Sequence, residues 1–272
     1  MRRVMPFALL ILVAAIAAAP AAARVGLPKS MASTGDSLTR AAGTGFLPWT
    51  DNPAGSWSTG TDPSVNSHYL RLLALTPKIR GNNYNDARSG AKMGELTTQM
   101  GTVVSQNVGY ITVEMGGNDV CAANEASMTP VADYRSQFRA GLSRVTSGLP
   151  NVKVFVASVP NIYHLWELYH DDLAAQVAWF TFGVCQSMLA NPTSTAQSDV
   201  DRRARVTQRI RDYNTALAEV CAQVRQCQFD GNAAFEADFT KADVLHTDYF
   251  HPSLSGQAKF AAGTWAVGYW GP

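Results

Sequence analysis

Apolar and polar positions alternate in texture along the chain. Short, densely apolar or β-rich runs cover residues 31–34, 110–115 and 152–156, and each stops at a breaker: Gly35, Gly116-Gly117 and Pro160. Such runs, bounded by glycine or proline, predict buried strands. Between them lie segments with apolar residues at helical spacing. Residues 68–75 carry Tyr69, Leu72 and Leu73, and residues 131–145 carry Tyr134, Phe138, Leu142 and Val145. Residues 202–224 carry Val206, Ile210, Tyr213, Leu217 and Val220 on one stripe, and residues 254–267 form a closing helix. These spacings predict amphipathic helices. Strands alternating with helices predict an α/β domain with a mostly parallel sheet and helices on both faces. In such sheets the active site lies at the carboxyl ends of the strands.

Two segments have a different texture. Residues 44–67 hold three prolines together with Trp49 and Trp57, and read as a long ordered loop. Residues 161–178 are rich in aromatic side chains and are read either as the wall of a cleft or as a helix packed on the core. No repeat of 20–50 residues is found.

The N-terminus reads as an address. Arg2 and Arg3 precede a mostly apolar run over residues 4–19, then Pro20 and three alanines, which is the pattern of a secretory signal peptide. At about 16 residues the run is short for a membrane span, which needs about 20. Cleavage after Ala23 is expected, giving residues 1–23 as signal peptide and 24–272 as a single domain, free in solution, with no stable membrane anchor. The chain is 46% hydrophobic and 16% charged, which excludes a disordered protein and a coiled coil. Its net charge of +1 lacks the basic excess of a protein held to nucleic acid by phosphate contacts. The four cysteines, in an exported chain, suggest two disulfides. Three pairings are possible. Proximity in sequence pairs Cys221 with Cys227, and so Cys121 with Cys185. No C-x-x-C pair supports zinc.

Two strand ends carry polar motifs, Gly35-Asp36-Ser37-Leu38 and Gly116-Gly117-Asn118-Asp119. Ser37 follows a strand and a glycine and precedes a segment read as a helix, so its hydroxyl is exposed. A hydroxyl is a weak nucleophile until a base takes its proton. That base is sought in His246-Thr247-Asp248-Tyr249-Phe250-His251-Pro252. A carboxylate on Asp248 can accept from Nδ1 of His251, leaving Nε2 to face the serine. Acyl transfer also needs donors for an oxyanion. The candidates are the N–H groups of Ser37 and Gly90 and the side-chain amide of Asn118. Asp36 and Asp119 are read as braces of their loops. His68, His164 and His170 are read as packing or surface residues, and His246 is not read as a metal ligand.

Taken in order, Gly35-Asp36-Ser37-Leu38, the loop at Gly90, Gly117-Asn118-Asp119 and Asp248-x-x-His251-Pro252 resemble the four blocks of the GDSL (SGNH) family of hydrolases. The serine, glycine, asparagine and histidine for which the family is named fall on Ser37, Gly90, Asn118 and His251. The resemblance implies a three-layer α/β/α, flavodoxin-like fold with a mostly parallel five-stranded sheet, hydrolysis of esters, and no metal or organic cofactor. The chain further looks like secreted actinobacterial esterases of this family, through Ser56-Trp57-Ser58-Thr59-Gly60 and Asp248-Tyr249-Phe250-His251-Pro252-Ser253. The G-x-S-x-G elbow of ordinary α/β-hydrolases is absent. The expected function is a secreted, monomeric serine esterase or lipase acting on a small-molecule or lipid ester through Ser37, His251 and Asp248. Two alternatives stand beside it. One is a carbohydrate esterase that deacetylates polysaccharide, suggested by Trp49 and Trp57, whose rings can stack on sugars. The other is a catalytically silent binding module of the same fold.

Overall fold

A computed structural model describes Met1 and residues 26–271. The signal-peptide assignment, Met1 apart, lies outside the described residues. Among them are five strands: β1 (Met31–Gly35), β2 (Asn83–Asn85), β3 (Tyr110–Glu114), β4 (Lys153–Val156) and β5 (Cys227–Phe229). The α-helices are α1 (His68–Leu75), α2 (Leu96–Gln106), α3 (Gly117–Val120), α4 (Val131–Gly148), α5 (Ile162–Tyr169), α6 (Leu173–Thr181), α7 (Gln186–Leu189), α8 (Gln197–Ala222) and α9 (Leu254–Ala266).

The strands form one parallel sheet in the order β2-β1-β3-β4-β5. Period-2 alternation sorts its side chains between two cores. Ala32, Ile111, Val113, Val154 and Val156 face one way, into a core closed by α2, α4 and α8. Met31, Tyr110 and Phe155 face the other way, towards α1 and α9. The result is the three-layer α/β/α sandwich expected from the sequence. The chain leaves β1 towards β2 on one side and returns to β3 on the other, so the switch point falls between β1 and β3. A crevice opens at that point beyond the carboxyl ends of the strands.

Several expectations are amended. The segment after Ser37 is not a helix but a series of turns, closed by Ala42 N–H to Ser37 O at 3.0 Å and passing through left-handed Ala41 (φ 47°) and Gly43 (φ 79°). Residues 161–178 contain α5 and most of α6, and they supply both a cleft wall and core residues. The 44–67 loop is ordered, but its two tryptophans part company. Trp57 is fully buried between His68 and Phe260 and cannot stack on a sugar, whereas Trp49 is 54% exposed. Cys121 is bonded to Cys185 and Cys221 to Cys227. No described helix is long and apolar enough to cross a membrane.

Candidate active site

The site begins with two glycines whose backbones no other residue can copy. Gly35 ends β1 at φ +152°, and a Cβ there would lie 2.3 Å from the Glu114 carbonyl and 2.6 Å from Thr39 Oγ1. Gly116 follows β3 at φ +143°, and its Cβ would lie 2.5 Å from Val159 Cγ2. Glycine alone lets the two strand ends turn this closely, so Ser37 and Asn118 emerge side by side. Gln99 grips the Gly35 backbone from both sides, accepting its N–H at 2.8 Å and donating to its carbonyl at 2.9 Å. Gln257 of α9 donates to the Leu38 carbonyl at 2.8 Å and accepts the Trp57 N–H at 2.9 Å. The nucleophile turn is therefore clamped to α2 and to α9.

The histidine arrives on a narrow loop closed by an antiparallel bridge between Val244 and Pro252. Asp248 is buried. Its Oδ1 accepts the N–H groups of Phe250 and His251 at 2.9 and 3.0 Å, and its Oδ2 lies 2.6 Å from His251 Nδ1. With Nδ1 donating to the carboxylate, Nε2 is the acceptor, and it lies 2.8 Å from Ser37 Oγ. Tyr249 occupies the left-handed region (φ 53°), and its carbonyl accepts from Trp179 Nε1 at 3.0 Å, which anchors the turn to α6. The ring of His246 stacks on that of Tyr249.

The three oxyanion candidates are placed unequally. Neither Ser37 N–H nor Gly90 N–H meets a protein acceptor among the described residues. Gly90 is exposed, at φ +81°. Asn118 lines the cleft, and its Nδ2 donates to Asp36 Oδ2 at 3.2 Å and to the carbonyl of Ala91, next to Gly90, at 3.0 Å. Asp119 accepts the Met93 N–H at 2.8 Å and so braces the Gly90 loop against the Asn118 turn.

Behind Ser37 lies a pair of buried carboxyls. Asp36 accepts the Leu38 N–H at 3.0 Å and pairs with Glu114 of β3. Burial pushes Asp36 up to about 6 and drives Glu114 well above the usual carboxylate range, where the charge on Asp36 raises it further. Both acids therefore hold their protons to higher pH than an exposed carboxyl does.

Ser37, Asn118 and His251 open onto a cleft of about 810 Å³, counting the space open to solvent. Beyond them its wall is mainly apolar, with Ile162, Leu165 and Leu168 from α5 facing Phe239, Val244 and Phe250. Sequence reasoning missed Gln99, Gln257 and Glu114. The two glutamines left a signal, since each sits on the apolar stripe of its helix, where a polar residue needs a partner.

Fold and site together define a three-layer α/β/α protein with a serine, a histidine and an aspartate in hydrogen-bonded series at the switch point of its sheet. The family model described as GDSL-like Lipase/Acylhydrolase matches residues 33–263, and the chain belongs to that family. It is 25% identical over 226 residues to the mouse protein "Phospholipase B1, membrane-associated", a match covering 71% of this chain and 15% of that protein, so it spans only a small part of that relative. Among solved structures it resembles a family 3 carbohydrate esterase of Clostridium thermocellum (TM-score 0.50, 15% identity, 87% of this chain and 92% of that one). It also resembles phospholipase A1 of Streptomyces albidoflavus NA297 (TM-score 0.48, 18% identity, 84% and 94%).

Proposed function

We propose that this protein is a secreted serine esterase that hydrolyses carboxylic esters of lipid type through an acyl-enzyme. The observation that carries the proposal is the series Ser37 Oγ–His251 Nε2–Asp248 Oδ2, at 2.8 and 2.6 Å, opening onto an apolar cleft.

Ser37 Oγ attacks the ester carbonyl as its proton passes to His251 Nε2. Asp248 stabilises the imidazolium that forms. The carbonyl oxygen becomes an oxyanion held by the N–H groups of Ser37 and Gly90 and by the Asn118 amide. For Asn118 the oxyanion competes with the longer of its two bonds, the one to Asp36. Each such donor contributes about 2.7–4 kcal/mol to the transition state. The imidazolium then protonates the departing alkoxide oxygen, releasing the alcohol. Water, deprotonated by the same imidazole, attacks the acyl-enzyme and frees the acid and Ser37.

The apolar cleft favours an acyl chain over an acetyl group, because each buried methylene adds about 0.8 kcal/mol. The polysaccharide reading keeps only Trp49 of the two rings that suggested it. A panel of p-nitrophenyl esters tests both points. Ser37→Ala is expected to lose turnover by at least about a thousandfold, and retained turnover would overturn the assignment. kcat/KM is expected to rise from acetyl towards medium chains, whereas a maximum at acetyl would favour deacetylation. A silent module would fail to turn over any ester. Export is supported by the two disulfides, and a mature N-terminus at Arg24 is expected by mass spectrometry of culture medium.

A further inference from the structure

We propose that the outer face of α6 and the loop over residues 44–50 together form a docking surface for an electrically neutral lipid–water interface. This deepens the reading of the cleft as a site for lipid esters and rests on it. The inner side of α6 is committed to the fold, with Ala175, Ala178 and Trp179 buried. Its outer side is apolar as well. Leu173, Val177 and Phe180, at positions i, i+4 and i+7, are 73%, 56% and 85% exposed. A helix apolar on both sides is expected in a core or against lipid, not in water.

The patch does not stop at the helix. Phe182, just beyond it, packs its ring 4.6 Å from that of Trp49, and Phe46 and Leu47 on the same loop are also exposed, Phe46 completely. Two segments remote in sequence thus present one apolar crest. Two links join it to the segments that carry the candidate site. A groove lined by Val177, Phe182, His246 and Tyr249 joins α6 to the turn that carries Asp248 and His251. Asp51, at the end of the loop, ties it to Arg40 at 2.9 Å and to Ser89, beside Gly90, at 2.5 Å.

Charge and position select the occupant. No Asp, Glu, Lys or Arg occurs in residues 41–50 or 173–198, while Asp171 and Asp172 precede α6. Surfaces that seek anionic lipid carry lysines and arginines for it, and this one has none. A second copy of the chain seated on the crest would obstruct the cleft it borders. A lipid surface there would instead present its esters to Ser37.

The test uses the full mature chain carrying Ser37→Ala, so that binding is read without turnover. Cosedimentation with phosphatidylcholine vesicles is expected, unchanged by salt and not strengthened by added phosphatidylglycerol. Adding Phe46→Ser and Phe180→Ser is expected to weaken partition by at least about tenfold. In the chain with Ser37 intact, the same two changes should leave hydrolysis of soluble p-nitrophenyl acetate unaltered, since neither side chain lines the cleft. Absence of binding, binding that requires anionic lipid, or binding indifferent to the two substitutions would overturn the proposal. So would a dimer in sedimentation equilibrium that the two serines convert to monomer. Failure of the esterase reading shows separately, as hydrolysis that survives Ser37→Ala.

Discussion

Gly35 sets how closely the serine turn approaches β3. Gly35→Ala drives a Cβ to 2.3 Å from a backbone carbonyl at a φ that side chains rarely adopt. The expected cost exceeds about 3 kcal/mol in denaturant unfolding. Gln257→Ala leaves the Leu38 carbonyl and the Trp57 N–H without their partner. It should cost about 1–3 kcal/mol and lower kcat for soluble esters more than it raises KM, because it loosens the nucleophile turn rather than the cleft. The paired acids give a pH prediction. Burial raises folded Asp36 from 3.8 to about 6. The folded state therefore binds more protons than the unfolded state in that window, and the resulting stability, present below 3.8, is lost as pH rises through about 6. Glu114, raised as well, acts in the same direction, so relative to Asp36→Asn/Glu114→Gln the native chain should lose stability steadily between pH 4 and 7, read from urea midpoints. An unchanged difference would refute the raised titration of these two acids. At this scale the sequence named the residues that meet: Ser37, Asp248, His251 and Asn118 each sit in a short motif whose chemistry is visible locally. Glu114 was hidden because a single carboxyl ending a strand has no local signature, and its partner Asp36 is adjacent only across the sheet.

Elements with strong periodicity were legible. The stripes of α4 and α8 and the apolar runs of β1, β3 and β4 appear in the residues themselves, because each buries one whole face. β2 and β5 were not legible. β2 is Asn83-Tyr84-Asn85, an edge strand that is polar in composition, and β5 is three half-buried residues, so neither offers an apolar run. The turns after Ser37 replaced the expected helix because backbone N–H groups there are taken by Asp36 and by an i+5 bond, not by a continuing ladder. The two disulfides act on elements very differently. Cys121–Cys185 spans a separation of 64 residues and ties the turn after α3 to α7, whereas Cys221–Cys227 spans 6 at the end of α8. In the chain-entropy model removal costs about 4 kcal/mol for the first and about 2 kcal/mol for the second. Paired Cys→Ala variants should show that order in unfolding midpoints, and the reverse order would contradict it.

For the molecule as a whole, topology performs the assembly. The parallel order places the switch point between β1 and β3, and it brings Ser37 and His251, 214 residues apart, to 2.8 Å. The core built on α2, α4 and α8 runs on into the apolar cleft, since Ile162 and Val244 belong to it and Leu165, Leu168 and Phe250 pack against it. The overall architecture was legible because alternating strands and helices permit few layouts. The cleft was not legible, since its walls come from segments brought together only by the fold. The account's central claim is that His251 activates Ser37 towards an acyl carbon. A fluorophosphonate reports this directly, because only an activated serine reacts with it. The account predicts a single adduct on the peptide containing Ser37, lost in His251→Ala. An unreactive protein, or an adduct on another serine such as Ser89, would contradict it.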